Sequence, residues 1–325
     1  MTADSGSRAM VIRGLGDGVG YPVAVFQPRD ALAAGFQSVL AAHMPDAALQ
    51  ARLRAGARAV VDRLAPHLPL VGGAEDQGRG GYLVGGSVGR RTAVTLTDKP
   101  PTTDLFVLLD DPACRDPRCA VERLGAALAA AGLPCRPPSE GRTAHGLAWE
   151  DLPFALRPAL PTRGRLALPV AAENASLRWT ICDPLAETAA MRLLNSLYGD
   201  RPRQMITLLK VWRRHHRVAL SGYGVEILVQ AFFRDGMAHP GADLAEVFEA
   251  FLAWGRNATP AALPLPGGRR KLVVGEDWHG AAATAYWQAV AARHRARTGD
   301  VLGSAEIWRR LFGPAFPLPS LTLAA

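Results

Sequence analysis

Apolar residues recur at helical spacing from Asp46 to Leu68 (DAALQARLRAGARAVVDRLAPHL), and the acidic Asp46 at the start predicts a long helix there. The stretch Gly80 to Gly86 then predicts a strand ending in a turn, with Ser87 placed to cap a short helix. Asp104 to Leu109 is an apolar run flanked by Pro100, Pro101 and Asp110, the pattern of a buried central strand. Arg118 to Gly132 predicts an amphipathic, Ala-rich helix. His145 to Trp149 and Leu152 to Leu160 pair as a β-hairpin whose turn is Glu150-Asp151. These elements predict a small α/β sheet unit in the first half.

From Asp183 the periodicity becomes helical, over roughly 184 to 199, 201 to 217, 222 to 234, 242 to 256, 279 to 297 and 303 to 312, with Pro/Gly breaks between. In the helix 201 to 217, Met205, Leu208, Leu209 and Trp212 share one face, with Lys210, Arg214 and Arg217 on the opposite side. Ala258 to Gly275 is the main non-helical insertion and fits a loop at a cleft mouth. The expected organisation is an N-terminal extension (1–45), a sheet-containing core (46–175) and a helical C-terminal lobe (176–325), an α+β chain with a cleft between two lobes.

Composition narrows the function classes. The chain has 325 residues, enough for two domains, and its 49% hydrophobic content supports a globular protein. No apolar stretch approaches a membrane span, and MTADSGSRAM lacks the order of a signal peptide, so a cytoplasmic protein without membrane partners is expected. Cys114, Cys119, Cys135 and Cys182 have no C-x-x-C spacing, which predicts reduced thiols rather than a zinc knuckle. A net charge of +8 suits a polyanionic partner such as a nucleotide; nucleic acid is a weaker fit, and Arg269-Arg270-Lys271 reads as a solvated basic loop.

The chemistry concentrates between residues 85 and 109. Gly85-Gly86-Ser87 before a helix start is a place where backbone N–H groups and aligned dipoles hold a phosphate, with Arg91 close behind. The following TTDLFVLL strand would present Thr102 and Asp104 on one face, since side chains alternate with period two. A two-metal nucleotidyl transfer needs paired carboxylates in such a position to clamp the attacking and leaving oxygens. Here one of the two is a neutral hydroxyl.

GGSVGRRT, TTDLFVLL, LPFALRPAL, WTICDP, LLKVWRRH, GYGVEILV and IWRRLFGPAFP, in that collinear order from about residue 50 to 318, resemble the oligoadenylate synthetase and cyclic GMP-AMP synthase branch of the nucleotidyltransferases. The likeness extends to the bacterial cyclic-oligonucleotide synthases of antiphage defence. It implies a polymerase-beta-like core, a small mixed sheet with helices, followed by an all-helical lobe. It further implies a nucleoside triphosphate on Gly85, Gly86, Ser87 and Arg91, Lys210 directed at the triphosphate, Tyr223 stacked on a base, and Mg²⁺ on Asp104 as catalytic carboxylate.

The departures bear on activity. Thr102 and Ala155 occupy the other two slots where the resemblance implies metal-binding carboxylates, and Gly222 replaces a usual Ser. Arg157, two residues from Ala155, shares its strand face and supplies a cation there, either to neutralise phosphate in place of metal or to pair with a neighbouring Glu or Asp. His215 and His216 lack a second ligand cluster. Two readings stay open: a degenerate member whose cleft binds a nucleotide or a protein partner, and an active enzyme making an oligonucleotide signal or modifying a small molecule, with Asp98 or Glu150 standing in. The double loss favours the first.

Overall fold

The computed structural model describes residues 28–72, 80–96, 99–111, 114, 116–172, 176–239, 241–257, 262–268 and 270–319. The chain opens on α1 (Pro28–His43) and α2 (Ala47–Leu64). Asp46 caps α2, its side chain accepting from the Leu49 N–H, and a short 3₁₀ turn with Pro66 ends it. β1 (Tyr82–Gly85), the single-turn α3 (Gly86–Gly89), β2 (Thr103–Leu108), α4 (Pro117–Ala130), β3 (Cys135–Arg136), β4 (His145–Trp149) and β5 (Leu152–Thr162) follow. Then come β6 (Arg165–Ala171) and β7 (Leu177–Cys182).

The sheet has the order β1-β2-β5-β4-β3, with β6 on the far end of β5 and β7 on β6. β2 and β5 are parallel and β1 is antiparallel to β2, so the sheet is mixed. The β4–β5 hairpin turns at Glu150 and Asp151, both at positive φ (45° and 65°), the sign that a two-residue hairpin turn requires. Leu53, Val60 and Leu64 of α2 and Leu124 and Leu128 of α4 cover one face, packing on Leu105, Val107, Phe154 and Leu156.

The second lobe contains α5 (Pro184–Tyr198), α6 (Arg201–His215), α7 (Gly222–Arg234), α8 (Leu244–Asn257), α9 (His279–Arg297) and α10 (Val301–Phe312), with a two-strand ribbon of β8 (Leu263–Pro264) and β9 (Lys271–Leu272). α6 is its central helix: every residue from Met205 to Trp212 is buried, Lys210 included. The basic face predicted for it is therefore solvated only beyond Trp212, at Arg214 and Arg217. α1 belongs to this lobe as well, because Phe36 makes edge contacts with Trp308, Phe312 and Phe316 at centroid distances of 4.9 to 5.7 Å. No helix among the described residues is long and apolar enough to cross a membrane.

Candidate nucleotide site

The Gly-rich turn is shaped by what lies against it. A side chain at Gly85 would run into the Phe106 ring, and one at Gly86, which sits at φ +60°, would collide with the Asp104 carboxylate. The backbone thereby comes down directly onto Asp104. Ser87 was expected to cap the helix, but Gly85 is the N-cap and has no side chain to offer; Ser87 lies inside the turn, and its carbonyl accepts from the N–H groups of Thr92 (2.8 Å) and Ala93 (3.1 Å). Arg91 is exposed at φ +59°.

Asp104 lies between two residues that contribute no carboxylate. Its register partners are Gly85 on β1 and Ala155 on β5. Thr102 is exposed just before the strand, while its neighbour Thr103 is buried. Arg157 extends from the same face of β5 as Ala155 and brings Nη2 to 3.6 Å from Asp104 Oδ1. Burial pushes the Asp104 carboxyl above the ordinary aspartate range, against the pull of Arg157 and then Arg90. Glu150 is in the exposed hairpin turn, five residues before Ala155 and on the order of 10 Å or more away along the strand direction. Asp98 lies outside the described residues, as does Arg269.

Behind this face a buried ion network joins the two lobes. Arg90 donates from Nε to Glu226 Oε2 (2.6 Å) and from Nη1 to Glu187 Oε2 (2.7 Å). Lys210 Nζ donates to Glu226 Oε1 (2.6 Å) and to the Thr92 carbonyl (2.8 Å). Tyr223 donates its hydroxyl to Glu187 Oε1 (3.0 Å), with the Arg90 guanidinium 5.0 Å from its ring centre. Burial pushes the Lys210 pKa down even with Glu226 beside it, and burial pushes Glu187 up in spite of Arg90. Lys210 is thus held between the Arg90 loop and α7, and Tyr223 is half-buried on Glu187.

Arg90, Glu187 and Glu226 were not singled out in the sequence. Glu226 offered one signal, a lone charge within the apolar run of GYGVEILV. Two cavities flank the network. One of about 360 Å³ is lined by Gly89, Arg90, Arg91, Arg192 and Arg203. The other, about 620 Å³, runs along β7 and the β8–β9 loop, lined by Arg165, Arg178, Trp179, Cys182, Glu187 and Arg270. His215 and His216 pack against one another on the far side, where a His216 ring nitrogen lies 3.2 Å from the Leu311 carbonyl. The four cysteines are free, and burial pushes the Cys182 thiol up to about 11, which keeps it protonated.

The fold as a whole is similar to that of solved structures. CdnC of E. coli MS115-1 with ATP matches at a TM-score of 0.62 and 14% identity, covering 88% of this chain and 98% of that one. CdnG of Bradyrhizobium diazoefficiens, a CD-NTase in complex with GTP, matches at 0.65 and 16%, covering 89% and 96%. The chain has the CD-NTase fold. DncV of Vibrio cholerae, a cyclic AMP-GMP synthase in complex with the linear intermediate pppA(3′,5′)pG, matches at 0.56 and 13%, covering 90% and 87%. No protein-family model matches the chain, and no curated protein matches it by sequence.

On this CD-NTase fold the donor set does not fit a pair of divalent ions. Two-metal catalysis needs several carboxylates converging on the ions, and Asp104 faces Ala155 in register with a guanidinium 3.6 Å away. Among the described residues no three His, Cys, Asp or Glu side chains form a metal-sized group.

Proposed function

We propose that this protein binds a nucleoside triphosphate in the cleft between its sheet and its helices without carrying out two-metal nucleotidyl transfer. The observation that carries the reading is the register of β2 and β5, in which the position opposite Asp104 is Ala155. A methyl group cannot ligate a metal or polarise a hydroxyl, and loss of that template removes several kcal/mol of transition-state stabilisation, on the order of 3 or more. Binding is a separate requirement. The backbone N–H groups of the Gly85–Ser87 turn supply donors for a phosphate, and the arginine- and Trp179-lined cavity along β7 supplies room and chemistry for a base and sugar. Structures of the same fold described with ATP and with GTP support a nucleotide as the ligand.

The retained Asp104 favours a second reading, an active nucleotidyltransferase with a remodelled site. Incubation of the purified protein with the four labelled NTPs and Mg²⁺ or Mn²⁺, with Asp104→Ala alongside, separates the two. Unchanged NTPs that nonetheless co-elute with the protein are expected. A nucleotide product that disappears in Asp104→Ala would establish the active reading instead.

A further inference from the structure

We infer that Arg157 is a built-in cation in the place of divalent metal, so that the cleft takes a nucleoside triphosphate in its metal-free form. This rests on the nucleotide-binding reading above and specifies the ionic form of its ligand. Arg157 and Ala155 project from the same face of β5, and Arg157 Nη2 stands 3.6 Å from Asp104 Oδ1. Both side chains keep contact with solvent, at 38% and 30% exposure, so an incoming anion can reach the pair. Arg157 Nε is buried and without a hydrogen-bond partner, which leaves the guanidinium fork only partly used.

The charge balance points the same way. A site with three carboxylates repels phosphate until metal ions reverse its sign. Here Asp104 is offset by Arg157, and in the adjoining network Arg90 and Lys210 are offset by Glu187 and Glu226. Phosphate oxygens approaching the Gly85–Ser87 turn therefore meet a neutral pair whose arginine side chain is still partly exposed, and a planar guanidinium matches two oxygens of one phosphate. A magnesium ion on the triphosphate would cover those same oxygens while finding one carboxylate to bind, and Mg²⁺ parts reluctantly with its water. The two cations compete for one set of oxygens.

The test is equilibrium binding of ATP and of GTP to the full-length protein in EDTA and in Mg²⁺. Binding in EDTA is expected to be at least as tight as in Mg²⁺. Arg157→Ala is expected to weaken it in EDTA by roughly tenfold or more, the value of one charge-assisted hydrogen bond. Arg157→Lys, which keeps the charge and loses the fork, falls between. The comparison of EDTA with Mg²⁺ needs no variant, so a misfolded substitution cannot decide the question. Binding that requires Mg²⁺ and ignores Arg157→Ala overturns the inference and leaves nucleotide binding standing; no binding in either buffer overturns both.

Discussion

Buried charges persist in a protein only when each finds its opposite. Glu226, 1% exposed, is bonded to both Arg90 and Lys210, so its removal would leave the Lys210 ammonium without an acidic partner in the interior and Arg90 with Glu187 alone. Glu226→Ala is therefore expected to cost about 3–5 kcal/mol in denaturant unfolding. A loss no larger than that of an exposed glutamate would show that the network contributes nothing. The pH dependence has a definite sign. Burial pushes Glu226 up, but Lys210 and then Arg90 more than offset it, so its folded pKa lies below the usual 4.5. The stabilisation from its charge is complete above 4.5 and disappears as pH falls through the lower folded value. Glu187 and Asp104 act in the opposite sense, since burial raises both and protonation on acidification relieves a cost the folded state already bears. The gap in stability between wild type and Glu226→Gln should hold constant at neutral pH and narrow below 4.5. Measuring both proteins across an acid series checks it.

An isolated single turn of helix has no stability in water, because nucleation fixes several dihedrals for one hydrogen bond. α3 is such a turn, and packing holds it: the Phe106 ring under Gly85, the Asp104 carboxylate under Gly86, and the Val84 carbonyl beside Gly89. Gly86→Ala adds a methyl that collides with Asp104 at a backbone position of φ +60°, so about 1–3 kcal/mol of destabilisation is expected. ATP binding should be lost with it, because the turn cannot keep its place. Urea unfolding and an ATP titration on the same preparation test the two parts, and a Gly86→Ala protein that binds ATP normally would remove the turn from the site. α2, α4, the β4–β5 hairpin and the six C-terminal helices were legible in the sequence, since each has an amphipathic or apolar period of its own. α1, the β6–β7 hairpin and the β8–β9 ribbon were not foreseen: β8 and β9 are two residues long, and β6 and β7 mix apolar and polar positions without strict alternation.

At the scale of the molecule, the two lobes meet through buried charge, and the Gly85–Ser87 turn comes down onto a strand face where Asp104 has Ala155 opposite it and Arg157 beside it. Placing carboxylates at positions 102 and 155 tests whether that strand face can take metal. Thr102→Asp with Ala155→Asp is expected to remain inactive with NTPs and Mg²⁺, because Arg157 still neutralises Asp104 at 3.6 Å. Adding Arg157→Ala should produce measurable nucleotide product. Activity in the double variant alone would show that Arg157 does not obstruct metal. By itself the sequence determined the order of the main elements, the Gly85–Ser87 turn, the position of Asp104 and the absence of its partners at 102 and 155, because these follow from local periodicity and from motifs in collinear order. Only the tertiary structure decided where the charges go. Arg90 finds Glu187 and Glu226 at separations of 97 and 136 residues, and Lys210 turns inward to Glu226 and Thr92. A single charged side chain leaves no periodic trace in a sequence, so its partner is chosen by the packing of one lobe against the other.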